Sequence, residues 1–265
     1  LERVQGMDVV VTKEMPVDGD TIARFPDSVQ LICEAGTGYN NIDIEAARAR
    51  GITVCNIPAY STERVAHTAI MMILNLSSSM QIQQAMLARG DRSNFTKCMQ
   101  VSHVEVNGKV LGVVGAGTIG REVIKVAQAL GMKVLAYTRT PRADEDNLKY
   151  VSLEELLKLS DYISLHCPLT PQTRHMINKE TIAMMKPTAY IINTGRGALI
   201  DEPALIEALK EGRIAGAGLD VQETEPPVQD NPLYDMPNVI LTPHMGWKGL
   251  ETRQRLVSIL AANIQ

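Results

Sequence analysis

The stretch 109–120, KVLGVVGAGTIG, constrains the fold more than any other part of the sequence. An apolar run predicts a buried strand, glycines follow in the spacing G-x-G-x-x-G, and a helical pattern begins near Thr118. A strand that turns through glycines into a helix is an anion site, because backbone can approach a phosphate closely and the helix N–H groups favour its charge. The sequence therefore predicts a dinucleotide pyrophosphate site, with an ordinary glycine-rich turn as the alternative, at Gly115, Ala116, Gly117, Thr118, Ile119 and Gly120.

The same alternation of strands and helices occurs twice along the chain. Strands are predicted at 8–12, 29–33 and 52–56 with helices between them, and a second series runs from Lys109 to about residue 241. This pattern predicts an α/β fold of two doubly wound parallel-sheet domains, a Rossmann cofactor domain and a smaller flavodoxin-like substrate domain. We expect the substrate domain to span 1–60, completed by 247–265, and the dinucleotide-binding domain to span 61–246.

Two further expectations concern helices and chain ends. A helix is predicted from Val65 to about Leu87, either bridging the two domains, which we favour, or lying in one core. Ser152 and Glu155 predict a capping box. Leu1 is an unusual start and the final helix has no stop signal, so we expect further segments at both ends.

Composition narrows the function classes. The 265 residues are 45% hydrophobic and 21% charged, as in globular proteins, and the net charge of −4 without a basic stripe predicts no nucleic-acid partner. The most apolar run, 68–80, is too short to cross a bilayer, so no membrane partner is expected. Scattered cysteines without a C-x-x-C motif indicate a cytoplasmic setting, and no metal site is predicted.

The residues at the end of the second predicted strand of the nucleotide-binding unit indicate whether the cofactor is NAD(H) or NADP(H). An acidic residue there usually holds the adenosine ribose hydroxyls, but this chain has Thr138, Arg139 and Thr140. An arginine fork suits a 2′-phosphate, and the missing carboxylate removes a repulsion. We therefore predict NADP(H) over NAD(H). The alternative is that Arg139 is solvated or stacks on the adenine, which serves either cofactor.

Three charged residues that follow later strands form a candidate catalytic set. Ligands of open parallel sheets bind beyond the carboxyl ends of the strands, so residues at these positions are expected to converge. His244 is a natural proton donor near neutral pH, and Glu225 can orient it. Arg196, between two glycines, suits bidentate capture of a carboxylate, with backbone donors from Gly36 and Gly38 on the same group. Structural roles for His244 and Arg196 are the alternatives, and no partner is predicted for His175.

These residues lie in motifs that cover essentially the whole chain. The chain resembles the D-isomer-specific 2-hydroxyacid dehydrogenase family in AGTGYNNIDIEAA, NIPAYSTERVA, GVVGAGTIG, LHCPLTPQTRHMI, INTGRGALIDE, AGAGLDVQETEPP and LTPHMGW. Within the family, TPHMGW followed by ETRQRL is most similar to the glycerate dehydrogenases, also called hydroxypyruvate reductases. The resemblance implies exchange of a hydride between NAD(P)H and a small 2-oxo acid, which gives a D-2-hydroxy acid, and a homodimer.

The resemblance also implies residue roles. Arg196 is expected to bind the substrate carboxylate and C2 oxygen, His244 to protonate that oxygen, and Glu225 to hold His244. Asp220 is expected to hydrogen-bond the nicotinamide carboxamide. The substrate carboxylate is expected to meet the backbone N–H groups of Gly36, Thr37 and Gly38. Other residues expected to contact the cofactor are His166, Cys167, Pro168, Thr173, Thr194, Gly195, Arg196, His244 and Gly246.

Some points depart from the family or stay open. Gln222 stands where the family often has Phe, which should loosen local packing. Hydroxypyruvate or glyoxylate is the expected substrate, and phosphoglycerate, pyruvate or a bulkier 2-oxo acid are the alternatives. A different class of function, a nicotinamide-sensing corepressor that binds peptide motifs, is the other alternative.

Overall fold

The computed structural model describes residues 1–140 and 142–265. They form two compact units, a smaller one of residues 1–61 and 247–265 and a larger one of residues 62–246. Each unit has its own parallel sheet and its own hydrophobic core. The predicted α/β class is therefore confirmed.

The strands of the described residues, in chain order, are β1 (Val9–Thr12), β2 (Leu31–Glu34), β3 (Thr53–Cys55), β4 (Val110–Val114), β5 (Lys133–Tyr137), β6 (Leu148–Tyr150), β7 (Tyr162–Leu165), β8 (Tyr190–Asn193), β9 (Gly216–Leu219) and β10 (Val239–Leu241). The α-helices are α1 (Gly19–Ala23), α2 (Ile44–Ala49), α3 (Thr62–Ser77), α4 (Met80–Ala88), α5 (Ser93–Thr96), α6 (Thr118–Ala129), α7 (Leu153–Leu159), α8 (Lys179–Ile182), α9 (Glu202–Lys210) and α10 (Leu250–Ile264). Short 3₁₀ helices lie at Glu2–Val4, Gly197–Leu199 and Pro232–Asp235.

The larger unit is a doubly wound sheet in the order β10-β9-β8-β7-β4-β5-β6, with every pair parallel. Side chains alternate between its faces, so adjacent residues enter different cores. Val113 packs with α3 and α6, whereas Val114 packs with α7 and α9. The strand order reverses between β4 and β7, and this reversal opens a ligand crevice beyond their carboxyl ends.

The smaller unit has three parallel strands in sequence order, β1-β2-β3. Its first two helices begin at aspartate caps, because Asp18 accepts the Thr21 N–H at 2.8 Å and Asp43 accepts the Ala46 N–H at 2.9 Å. The described strands of this unit carry no reversal of order, so the doubly wound arrangement is seen in the larger unit.

The predicted long helix is wrong in length. It breaks at Ser79, a non-glycine residue in the left-handed region with φ +50°. The hydroxyls of Ser77 and Ser78 both donate to the Leu74 carbonyl, at 2.9 and 2.8 Å. Such side-chain bonds compete with the backbone hydrogen bonds that would continue the helix. The first part, α3, is a core helix of the larger unit, with Met72 fully buried. Packing in one core is therefore shown for α3, and the favoured bridging role stays a prediction.

Other differences involve short elements. The strand β6 and the one-turn helix α5 were not predicted, because three or four residues carry too little periodicity to show. Ser152 caps α7 through the Glu155 N–H at 3.1 Å, which is one half of the predicted box. Both halves occur instead at Asn178 and Thr181.

Cys33 and Cys55 pair in register on β2 and β3, with their sulfurs 3.1 Å apart. Burial is the main reason that the pKa of Cys33 rises to about 12, so this thiol stays protonated. It is a small core residue, as its apolar surroundings predict. In the described residues no helix is long and apolar enough to cross a membrane.

Gly112 in β4 provides a test of the packing. A β-carbon there would overlap Ser160 Oγ and the Leu156 side chain of α7. We expect Gly112→Ala to lower the free energy of unfolding by about 1–3 kcal/mol, because overpacked cores must shift. Urea unfolding measures this. The exposed Lys133→Ala on the neighbouring strand is the control and should change stability by less than about 0.5 kcal/mol. Equal stability of Gly112→Ala and the wild type would contradict this packing.

Candidate active site

The loop between β4 and α6, the glycine loop, contains three glycines, and the structure gives a different reason for the missing side chain at each. Gly115 has φ +99°, and a β-carbon there would lie 2.7 Å from the Cys167 N atom. A β-carbon on Gly120 would overlap the Gly115 carbonyl, so this glycine lets the helix pack on the loop. At Gly117 a β-carbon would meet nothing within 4 Å. The first and third glycines therefore serve the fold, and the second leaves space for a ligand.

The N-terminus of α6 is suited to an anion. Gly117 is its N-cap and supplies no capping side chain. The N–H groups of Thr118 and Ile119 lie in the first turn, where an α-helix has no acceptors of its own. Ala116 is buried beside them. Together with the open space at Gly117, these donors fit a pyrophosphate.

The end of β5 holds the residues predicted to choose the cofactor. Thr138 Oγ1 donates to the Thr140 carbonyl at 2.7 Å and so shapes the turn. Arg139 is exposed, and within residues 1–140 and 142–265 it has no ion pair. The nearby Arg121, by contrast, is engaged by both carboxylate oxygens of Glu145, at 2.8 and 3.0 Å. The Arg139 guanidinium is thus exposed to solvent at this turn, where it can meet an anion.

The segment after β7 forms a neutral wall. His166 Nε2 lies 2.8 Å from Ser164 Oγ, and burial lowers the pKa of His166 to about 4. Burial also raises the pKa of the Cys167 thiol to about 11. The Pro168 carbonyl accepts the Thr173 hydroxyl at 2.7 Å, which closes the following loop. These residues offer shape and hydrogen bonds near neutral pH, and no charge.

Arg196 is held by the end of β8. The buried Asn193 side chain accepts the Gly195 N–H at 3.0 Å and donates to the Arg196 carbonyl at 2.8 Å. Arg196 Nη1 donates to the Gly195 carbonyl at 2.9 Å. The hydroxyl oxygen of Thr194 is buried with no hydrogen-bond partner among the described residues. An orphaned buried hydroxyl is costly, so a bound group that pairs with it fits this position.

His244 and Glu225 form a hydrogen-bonded pair, with 2.8 Å between Nδ1 and Oε2. A carboxylate only accepts, so the Nδ1 proton belongs to this bond. Burial acts most strongly on the Glu225 pKa and raises it. The bond and charge of His244, the Gln222 N–H and Arg196 outweigh burial and lower this pKa below its ordinary value. Glu225 is therefore a carboxylate near neutral pH, with Arg196 near it.

Asp220 anchors the loop that carries His244. Its buried carboxylate accepts the Thr242 hydroxyl at 2.5 Å and the N–H groups of Met245 and Gly246, each at 2.8 Å. His244 itself has φ +49° and donates its N–H to the Asp220 carbonyl at 2.8 Å. Three of about four acceptor positions on the carboxylate are filled, and its predicted contact with a carboxamide stays a prediction.

The loop 36–38 follows β2 in the smaller unit. Thr37 Oγ1 donates to the Ile57 carbonyl at 3.0 Å, and Asn56 Nδ2 donates to the Thr37 carbonyl at 2.7 Å. The side chain and carbonyl of Thr37 are thus occupied, which fixes the loop backbone. The role of Gly36, Thr37 and Gly38 in binding a carboxylate stays a prediction.

Several residues of the site were missed in the sequence. Asn193 and Thr242 carry polar side chains at the end of apolar strands, which is a signal that could have found them. His175 has a partner after all: its Nε2 lies 2.5 Å from Glu223 Oε1. No pattern in the sequence links these two, because they lie 48 residues apart.

The arrangement in the larger unit suits reduction of a carbonyl. A histidine with a fixed tautomer can give a proton, a guanidinium nearby can bind a carboxylate, and the glycine loop can hold a dinucleotide. These are the parts that a nicotinamide-dependent oxidoreductase of hydroxy acids needs.

Comparison with known proteins agrees. Residues 70–246 match the family described as "D-isomer specific 2-hydroxyacid dehydrogenase, NAD binding domain". A hydroxypyruvate reductase of Blautia hydrogenotrophica is 40% identical over 100% of this chain and 83% of its own length. A glycerate dehydrogenase of Methylorubrum extorquens is also 40% identical, over 100% of this chain and 84% of its own.

A solved structure is similar throughout. D-lactate dehydrogenase from Aquifex aeolicus, complexed with NAD and lactic acid, superposes with a TM-score of 0.89 at 33% identity, over 99% of this chain and 84% of that one. The chain belongs to the D-isomer-specific 2-hydroxyacid dehydrogenase family. It is an oxidoreductase that uses a nicotinamide cofactor.

The half-buried His166 gives a pH prediction. The folded chain keeps it neutral down to about pH 4, whereas the unfolded chain takes up a proton at the ordinary value of 6.5. The unfolded state thus binds more protons in this window, and the free energy of unfolding falls as pH decreases through it, by up to about 1.4 kcal/mol per pH unit.

Urea unfolding at pH 7 and pH 5 measures this loss for the wild type and His166→Gln. The substitution removes the titrating group, so the variant should lose less stability over the same interval. The exposed His103→Gln is the matched control. Equal losses in the wild type and His166→Gln would contradict the burial of a neutral histidine.

Proposed function

We propose that this chain reduces hydroxypyruvate and glyoxylate, with NADPH as the preferred cofactor, and thus acts as a D-glycerate dehydrogenase. The observation that carries the proposal is the His244–Glu225 hydrogen bond next to Arg196. It occurs in a chain 40% identical over its whole length to a protein named hydroxypyruvate reductase.

The residues of the larger unit have separate tasks in this reaction. When bound, the nicotinamide supplies a hydride to C2 of the 2-oxo acid. Arg196 binds the substrate carboxylate and the C2 oxygen through its guanidinium. His244, as an imidazolium, gives the proton on Nε2 to that oxygen, and Glu225 keeps the ring oriented through Nδ1. The Asp220 carboxylate accepts a hydrogen bond from the nicotinamide carboxamide at its remaining acceptor position. This bond would orient the nicotinamide ring.

Three further contacts with the cofactor are proposed. The N–H groups of the α6 N-terminus hold the pyrophosphate. The 166–168 segment, Thr173 and the 194–195 turn line the cofactor, with Thr194 Oγ1 gaining the partner that it otherwise lacks. Gly246 leaves room beside Asp220, because a β-carbon there would lie 2.9 Å from Oδ2.

The preference for NADPH rests on the turn after β5. Residues 138–140 contain no carboxylate, and Arg139 is exposed and unpaired within the described ranges. A guanidinium binds a 2′-phosphate through charge-assisted hydrogen bonds. The ribose hydroxyls of NADH are uncharged and therefore bind the Arg139 guanidinium more weakly than a 2′-phosphate does.

We also propose a homodimer, supported by apolar side chains that α4, α5 and the residues just after α5 leave exposed, namely Met80, Leu87, Phe95 and Met99. Met72, Ile73 and Leu76 of α3 are buried in the core and so do not contribute to such an interface. Light scattering that gives the mass of a single chain would reject the dimer. A cytoplasmic location is proposed from the unpaired cysteines and is tested by cell fractionation.

Initial rates test the proposed function. They are measured with hydroxypyruvate, glyoxylate and pyruvate, each with NADPH and with NADH. We expect the highest kcat/KM for hydroxypyruvate with NADPH. Faster turnover of pyruvate or of a bulkier 2-oxo acid would contradict the substrate, and preference for NADH would contradict the cofactor. Cofactor binding without turnover of any 2-oxo acid would favour a sensor.

Arg139→Ala sharpens the cofactor test. Removing a charged hydrogen-bond partner costs roughly 1.5–3 kcal/mol, so kcat/KM with NADPH should fall about 10- to 100-fold. The same variant should keep its kcat/KM with NADH, which serves as the internal control. A parallel loss with both cofactors would assign Arg139 to the adenine or to the fold.

His244→Ala tests the proton donor. A positioned general acid contributes roughly 10²- to 10⁴-fold, so kcat for hydroxypyruvate should drop by that factor. Fluorescence titration with NADPH should still show binding, and His103→Ala, at an exposed histidine, should keep the wild-type rate. An unchanged kcat in His244→Ala would reject the assignment.

A further inference from the structure

A hydrogen-bonded cluster is centred on Glu223, two residues before Glu225. Glu223 Oε1 accepts His175 Nε2 at 2.5 Å and Arg174 Nη2 at 3.0 Å, and Oε2 accepts the Glu202 N–H at 3.4 Å. The Glu202 carboxylate in turn accepts the Glu223 N–H at 3.0 Å. Both the side chain and the backbone of Glu223 are therefore tied down, which limits the movement of the loop that carries Glu225.

The segment that supplies His175 is also bonded to the loop that follows Arg196. The His175 N–H donates to the Ala198 carbonyl at 2.9 Å. The Ile177 N–H donates to the Leu199 carbonyl at 3.1 Å, and Ile177 and Ile200 form a parallel bridge. Residues 175–177 therefore contact two loops. The His175 side chain bonds the loop that contains Glu223, and the backbone of His175 and Ile177 bonds the loop that follows Arg196.

The two loops also touch directly. A β-carbon on Gly197 would overlap the backbone carbonyl of Gln222, so the loops approach as closely as backbone permits. Packed backbone has little room to absorb a shift. A change in the position of residues 222–223 is therefore passed on to the turn that begins at Arg196.

The backbone of His175 is in the left-handed region, with φ +51°. A non-glycine residue in this region persists where its surroundings over-determine it, and such strain is concentrated near functional sites. The contacts of His175 with Ala198 and Glu223 provide that constraint. Alanine and glutamine at position 175 would share the same backbone strain, so the two variants isolate the side-chain hydrogen bond.

We infer that His175 and Glu223 are positioning residues, which hold the Arg196 loop and the Glu225 loop at the spacing that substrate reduction requires. This inference rests on the proposed function. Neither residue handles the substrate or the proton. They act through the loops, so their loss misplaces Glu225, and with it His244, relative to Arg196.

The experiment compares His175→Ala, His175→Gln and Glu223→Ala with the wild type. Glutamine can place a donor near the position of His175 Nε2, and alanine cannot. A misplacement of about 1 Å costs on the order of 100-fold in rate, so kcat for hydroxypyruvate should fall about 10- to 100-fold in the two alanine variants. His175→Gln should regain most of it. Rates are expressed per NADPH-binding site from fluorescence titration, which removes misfolded chains from the comparison.

The matched control is Glu207→Gln, which removes an exposed ion pair with Lys179, 3.1 Å long, from neighbouring helices. It should keep the wild-type kcat and KM. The inference is supported if kcat falls in the alanine variants with the KM for NADPH within twofold of the wild type. A His175→Ala kcat within twofold of the wild type, or a His175→Gln kcat as low as that of alanine, overturns it. Failure of the proposed function appears separately, as a wild type that turns over neither hydroxypyruvate nor glyoxylate.

Discussion

The parallel pairing of β4 with β5 on one side and β7 on the other is the constraint on which the larger unit depends. Because all strands of its sheet run in the same direction, every loop that leaves a carboxyl end opens at the same edge. The glycine loop and the His166–Cys167 segment leave adjacent strands there. They approach so closely that Gly115 has no room for a side chain. The dinucleotide site thus follows from strand order and from the missing side chains.

Three neighbouring strands, β8, β9 and β10, place the proposed catalytic groups. Parallel strands lie about 4.8 Å apart, so residues just past their ends fall within reach of one another. Two buried side chains refine this spacing: Asn193 shapes the Arg196 turn, and Asp220 gathers the loop of His244. Each is satisfied by several hydrogen bonds, as buried polar groups in native proteins usually are. The precision of the site therefore comes from polar anchors that never touch the reacting atoms.

Features that depend on local sequence patterns could be predicted from the sequence, whereas contacts made only in the tertiary structure could not. Apolar runs that end in polar residues mark strand ends, so Arg196, Glu225 and His244 were within reach of pattern reasoning. The glycine spacing likewise located the loop before α6. Partners brought together by tertiary structure were out of reach, since nothing local connects His175 to Glu223 or Asp220 to Thr242.

Helix continuity failed for a related reason. The predicted helix continues through the three serines at 77–79, but the hydroxyls of Ser77 and Ser78 bond the preceding turn and Ser79 turns left-handed. Helix propensity alone does not predict where side-chain hydrogen bonds will compete with those of the backbone. The strand β6 was missed because three residues owe their pairing to β5 and to little of their own.

The place of β10 at the edge of the sheet has a consequence for how activity is lost. This strand has three residues and one neighbour, and the chain beyond it provides the groups that bind Asp220. Edge elements with few partners fray at a lower cost than the whole molecule unfolds. Fraying of β10 releases His244 from Glu225 while the interior strands around the glycine loop stay paired. Mild denaturing conditions would therefore break the His244–Glu225 pair before they disturb the glycine loop.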